Sequence, residues 1–344
     1  MSRLLLVTSV AVCTVPLSVS AAETEHLSAE LIQATIRKAI PTLENASAGS
    51  ADKRKCFTCH HQSLPILALV AVRDLDFPID ETNLKRQIEH TASHLKRGQQ
   101  NYLEGKGQGG RVLTAGYALR ALDAADYRPD EITSAVSHFL IDYQQKQGFW
   151  HHPGQRPPSS GSAFATTYVA LAGLRAFGTG EQQKAINVRL EAVRSWLRKT
   201  QPEDTEDQVF RLRSLELAMA PPDAITAAAG VVLEAQRDNG GWAQTEKMSS
   251  DVYATATALT ALLRSGHLNR HAEQARKAAG FLIRGQQKDG SWHVVTRAKG
   301  FQTYFETGYP HGKDQFISCA AASWATLALT LMLPEHKSPG TAPD

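Results

Sequence analysis

The stretch Cys56-Phe57-Thr58-Cys59-His60-His61-Gln62 joins residue types and a spacing that prescribe chemistry. Two thiols three residues apart, followed at once by an imidazole, form the pattern for covalent attachment of a c-type haem. Cys56 and Cys59 would add to the two vinyl groups, and His60 would bind the iron through one ring nitrogen. Lys53, Arg54 and Lys55 stand just before the motif, placed to meet the propionates. His61 follows too closely to reach the other face of the same iron, so a sixth ligand would come from His151, His152, His293, His311 or Met248. The same side chains allow two other readings. Cys56, Cys59 and His60, joined by Cys319 from the far end of the chain, form a set suited to tetrahedral zinc. Alternatively Cys56 and Cys59 form a disulfide or stay free, and Cys319 is core packing.

Length and targeting set the frame for these residues. The chain has 344 residues, of which 42% are hydrophobic and 21% charged, an ordinary globular balance. A net charge of +3 gives no argument for nucleic acid or an acidic surface as partner. Residues 1–22 read as a secretory signal peptide: Arg3, an apolar run over 4–19, then Ser20, Ala21 and Ala22. Thr8, Ser9, Thr14 and Pro16 interrupt that run, which favours cleavage over anchoring. The expectation is therefore an exported protein, periplasmic or secreted, with no membrane span after signal removal. Haem attachment outside the cytosol agrees with it. Cys13 leaves with the signal, and three cysteines remain, too few for a disulfide framework.

Behind the signal the chain repeats. Gln147-Gly148-Phe149-Trp150, Asn239-Gly240-Gly241-Trp242 and Asp289-Gly290-Ser291-Trp292 are variants of one loop, and spacing of this kind marks a repeat architecture. Each loop precedes an apolar, Ala-rich helix, and each such helix is followed by a more charged one. The apolar helices are expected at 64–73, 112–124, 163–177, 208–220, 252–264 and 317–331, and their all-round apolarity implies burial on every face. The charged partners are expected at 28–43, 83–96, 130–144, 181–199, 224–237 and 270–286. Gly and Pro punctuate the joints at Pro41, Pro78, Pro129, Gly178, Gly180, Pro221 and Gly266. Strand-like alternation is confined to Trp292-His293-Val294-Val295. Six inner and six outer helices imply a closed ring, since an open stack would leave its last inner helix bare. The expected fold is all-α, a single (α/α)6 toroid of six helical hairpins over 23–333, with a disordered tail at 334–344. Loops entering the inner helices then share one mouth. That mouth gathers residues 56–62, 99–111, 147–162, 201–207, 239–251 and 288–314.

These Gln/Asp-x-Gly-x-Trp loops, with Gln144, Gln236 and Gln286 just before them, resemble the repeats of squalene–hopene cyclases within the α/α-toroid family of terpenoid cyclases and protein prenyltransferases. In that family the Gln and Trp brace outer helices against loops, so the resemblance implies structural roles for Trp150, Trp242 and Trp292. Asp204-Thr205-Glu206-Asp207, just before an inner helix, resembles the acid motif of class II terpene cyclases. There a middle Asp protonates an alkene, and Glu206 stands at that position. Glu206 and Asp207 are thus the candidate acids of a haem-free, cyclase- or lyase-like alternative. Asp251, Cys319 and His311 are the residue types of a prenyltransferase zinc set. His90, His94, His138, His267 and His271 read as solvent-facing or satisfied. Arg211 and Arg213 read as partners of the acidic loop. The leading expectation is a haem-bearing toroid serving an electron-transfer partner or acting on a small or apolar molecule held in the ring. The alternatives are the haem-free enzyme and a zinc-bearing binding protein.

Overall fold

A computed structural model describes residues 27–151, 154, 156–300 and 303–334. The signal segment 1–22 and most of the predicted tail lie outside the described residues. Thirteen α-helices run in order: α1 (Ala29–Lys53), α2 (Leu64–Arg73), α3 (Glu81–Arg97), α4 (Gln99–Leu103), α5 (Arg111–Ala124), α6 (Glu131–Tyr143), α7 (Ala163–Phe177), α8 (Gln183–Lys199), α9 (Thr205–Leu217), α10 (Pro222–Glu234), α11 (Val252–Arg264), α12 (Glu273–Arg284) and α13 (Gln315–Met332). Among the described residues there is no strand, only an isolated bridge between Trp242 and Asp251.

Six inner helices, α2, α5, α7, α9, α11 and α13, pack in sequence, and α13 packs back on α2. Their composition explains their place. All residues from Leu64 to Val70 are buried, as are all from Val252 to Leu262. Outer helices bury one stripe only: Ile186, Leu190, Val193, Trp196 and Leu197 on α8, for example.

The repeated loops are the braces. Trp150, Trp242 and Trp292 are fully buried, and each indole N–H donates to a carbonyl ten residues back: Leu140 at 2.8 Å, Val232 at 2.7 Å and Leu282 at 2.7 Å. Each loop's glutamine amide donates twice, once into its own loop and once to the next outer helix. Gln144 reaches Arg189 O on α8 (3.1 Å), Gln236 reaches Gln274 O on α12 (2.9 Å), and Gln286 reaches Thr35 O on α1 (2.9 Å). The last of these joins the end of the chain to its beginning. Gly290, at φ +85°, presses on α1 so closely that an added Cβ would meet Lys38 O at 2.0 Å.

Three boundaries differ from expectation. Helix α1 runs through Pro41, which lies on its exposed face, because Leu43, Ala46, Ser47 and Ser50 beyond it are buried. The proline's lost carbonyl partner is there left to water, not sealed inside. Helix α9 starts at Thr205 and not at 208, since Asp204 caps it by accepting from Asp207 N at 3.1 Å. Residues 292–295 form no strand; Val294 N instead donates to Ser318 Oγ at 3.0 Å.

Gly290→Ala is therefore expected to cost at least about 2 kcal/mol more than Gly266→Ala. Both sites have positive φ, but a Cβ at Gly266 meets nothing within 4 Å and costs only the ~1 kcal/mol of the left-handed backbone. Urea midpoints of the two variants check this.

Candidate functional site

The inner helices begin at one mouth, and two clusters meet there. The first is built on α9 and α11. Asp204 caps α9 and Asp251 caps α11, so Glu206 and Tyr253 occupy the same register, two residues after their caps. The Tyr253 hydroxyl donates to Glu206 Oε1 at 3.1 Å and meets Ser159 Oγ at 2.8 Å. Glu206 is 3% exposed. Burial raises its carboxyl to a pKa of about 8; the hydrogen bonds from Ser159 and Tyr253 offset part of that, and the charge of Asp204 adds to it. The carboxyl is therefore mostly protonated at neutral pH. Its neighbour Asp207 is engaged structurally, accepting from Ser162 Oγ (2.6 Å) and Glu203 N (3.1 Å). Tyr117 of α5 is close enough to feel both Glu206 and Cys59, which links this cluster to the second.

The second cluster is the cysteine–histidine heptad. Cys59–Ser63 forms a single π-helical turn leading into α2, a local irregularity often found at functional sites. Cys56 faces solvent, Phe57 is buried, and Cys59 turns inward. His60 and His61 pack edge-on to each other and against Phe316, with ring centroids 5.0–5.4 Å apart. A chain of hydrogen bonds fixes where their protons sit. Gln315 donates through Nε2 to Phe305 O (3.0 Å), so its Oε1 is the acceptor for Thr307 N (2.8 Å) and Thr307 Oγ1 (2.5 Å). Thr307 has spent its one proton, so His61 Nε2 must donate to Thr307 Oγ1 at 2.9 Å. Burial holds His61 far below the usual imidazole pKa, hence neutral, and its Nδ1 is then bare. His60 Nδ1, 2.9 Å away, must carry the proton of that contact. His60 is held neutral too, with a pKa lowered to about 4 by burial and by the charge of Arg156. Its Nε2 is left as an unprotonated lone pair.

The prenyltransferase alpha-alpha toroid domain family matches residues 83–216 and 209–330. The chain belongs to this family. No curated protein matches it by sequence. Among solved structures, the type II terpene cyclase MstE from Scytonema in complex with merosterolic acid A is similar at 16% identity and a TM-score of 0.56, covering 89% of this chain and 99% of that one. A protein from Actinoplanes is similar at 15% identity and 0.56, covering 88% and 99%. A possible member of the GH105 family from Klebsiella pneumoniae is similar at 14% and 0.51, covering 89% and 93%. At these identities the likeness is one of fold.

The toroid places the other sequence-predicted residues as follows. Cys319 lies fully buried within α13, its thiol pushed up by burial. Among the described residues no three His, Cys, Asp or Glu side chains gather closely enough to hold a metal ion, so Cys56, Cys59, His60 and Cys319 are not assembled as a zinc set. Cys56 and Cys59 are free thiols rather than a disulfide. His293 pairs with Asp314 Oδ2 at 2.9 Å, and His311 stacks on it while bonding Ser291 Oγ at 2.9 Å. His152 lies outside the described residues. Asp251 is spent on capping α11. His94 is not solvent-facing: it is buried and stacked on Phe57. Arg211 and Arg213 do not pair with the acidic loop; they reach Leu197 O and the Tyr168 hydroxyl respectively. Of the best-formed cavities, one of about 680 Å³ opens at the opposite mouth and one of about 350 Å³ lies between Arg37 and Asp80; neither borders the heptad. Sequence reasoning missed Ser159, Tyr253 and Tyr117. Tyr253 was within reach of it, because Asp204-x-Glu206 and Asp251-x-Tyr253 share one register.

Two outcomes follow. Long-range nitrogen–proton NMR is expected to show His60 protonated at Nδ1 and His61 at Nε2, with Thr307→Val mixing the tautomers. Because Glu206 has a folded pKa of about 8 against 4.5 unfolded, its protonation favours the fold fully below pH 4.5. That contribution falls by about 1.4 kcal/mol per pH unit until pH 8. Urea unfolding of Glu206→Gln across this window is expected to lack that slope.

Proposed function

We propose that the toroid catalyses proton-initiated isomerisation or cyclisation of an apolar alkene, with Glu206 as the acid. The supporting observation is a buried, protonated carboxyl, held by Tyr253 and Ser159 at the start of an inner helix. The substrate class is suggested by fold likeness to a type II terpene cyclase solved with geranylgeranyl dihydroxybenzoate as substrate. In the chemical step the Glu206 O–H bond breaks and its proton forms a C–H bond at one alkene carbon, whose π pair is consumed. The cation at the other carbon is attacked by a neighbouring alkene or loses a proton. Proton loss restores the stoichiometry, so the net change is an isomerisation and no oxidant is needed. Burial serves this chemistry twice: it keeps the acid protonated and keeps water from quenching the cation.

A second reading rests on the His60 tautomer. A ligating histidine commonly donates its other N–H to an oriented partner, and the Thr307–His61–His60 chain provides that arrangement. With free thiols at Cys56 and Cys59, the donor chemistry suits a c-type haem held by Cys56, Cys59 and His60. When bound, such a group would supply one-electron chemistry. This reading goes with the export expected from residues 1–22.

Incubation with a polyprenyl alkene, followed by product analysis, tests the first reading. Glu206→Gln is expected to lower product formation at least 100-fold, and wild-type activity is expected to fall as pH rises through 8. Full activity in Glu206→Gln would exclude the acid role. A pyridine haemochrome of protein exported with haem-maturation factors tests the second; its absence, or its persistence in Cys56→Ser/Cys59→Ser, would exclude haem attachment.

A further inference from the structure

The opposite mouth of the ring carries a different charge pattern. Arg120 of α5 is 6% exposed, lies over the faces of Tyr168 (5.2 Å) and Trp324 (5.3 Å), and has a buried Nη1 with no hydrogen-bond acceptor among the described residues. Arg213 Nε and Trp324 Nε1, nearby on α9 and α13, are likewise buried donors without an acceptor. Arg213 lies 5.2 Å over the same Tyr168 ring and 3.2 Å from Glu216. Arg264, at the end of α11, is near enough to Arg213 and Arg120 that burial and their charges lower its pKa to about 10. Three guanidiniums thus face two carboxylates, Glu216 and the exposed Asp123, with His267 beside Glu216. A buried cation without a full set of acceptors is costly.

Arg264 also lines the cavity of about 680 Å³ between the C-terminal ends of α2, α11 and α13. The rest of the wall combines Leu75, Leu263, Leu268 and Leu333 with few free charges. Asp74 pairs with Arg73 at 3.1 Å, and Arg270 donates to Leu333 O at 2.9 Å. The cavity therefore offers one net positive anchor and a largely apolar wall, within the size range of small-molecule sites.

We infer that this mouth is a second binding site, for a single carboxylate carried on a hydrocarbon body, with Arg264 as the anchor and the leucines as the wall. One negative charge completes the balance of the guanidinium group; a phosphate dianion would exceed it, and a bare ion would leave the apolar wall uncovered. The site is independent of the acid at the other mouth.

Isothermal titration of the full mature chain with decanoate, below its micelle concentration, tests this. Saturable one-to-one binding is expected. Arg264→Ala should weaken it at least 10-fold, the neutral analogue decanol should bind at least 10-fold more weakly, and Glu206→Gln should leave binding unchanged. Arg264 is an exposed residue, so its substitution is expected to fold, and circular dichroism checks that. Equal binding of decanol and decanoate, equal binding by Arg264→Ala, tighter binding of inorganic phosphate, or no saturable binding would each overturn the inference.

Discussion

Closure of the ring is the constraint on which the rest depends. A six-hairpin array can bury its last inner helix only against its first, and α13 packs on α2 accordingly. Hydrophobic burial alone would permit many ring geometries, because it is not directional. Direction comes from the glutamine amides and the tryptophan indoles, each satisfying carbonyls that would otherwise be buried unpaired. The same device, used between neighbouring repeats at Gln144 and Gln236, is used once more at Gln286 to bind residues 251 positions apart. The positive-φ glycines let loop and helix backbones touch where a side chain would hold them apart.

Closure also gives the two mouths opposite electrostatics. At the N-terminal ends of the inner helices, burial keeps groups neutral: Glu206 protonated, His60 and His61 unprotonated. Pairs of titratable groups pushed in opposite directions are a common mark of sites that move protons. At the C-terminal ends the ring gathers guanidiniums, stacked on Tyr168 and Trp324. There burial and the three arginines oppose each other on the Tyr168 hydroxyl, and the arginines win, lowering its pKa.

The fold was legible in the sequence because its signals are local and repeated. Apolar runs such as 64–73, 163–177 and 252–264 coincide with α2, α7 and α11 to the residue. Errors arose where tertiary packing overrode a local stop, at Pro41, or where an acidic loop was in truth a capped first turn, at Asp204. The candidate acid was legible only through family likeness, while its environment was not. Ser159 arrives from a loop 47 positions earlier in the chain and Tyr253 from a helix 47 positions later, and no local pattern announces either. The heptad was legible as a donor set, but the Gln315–Thr307–His61 chain that fixes the His60 proton joins residues 246 apart. Such long-range polar networks leave no periodic trace.

The central claim is that a closed ring buries Glu206 deeply enough to keep it an acid at neutral pH. Infrared difference spectroscopy of wild type against Glu206→Gln reads this directly. A protonated carboxyl band at pH 7 that fades with a midpoint near pH 8 is expected. A carboxylate band at pH 7, with protonation only near the usual glutamate value, would contradict it.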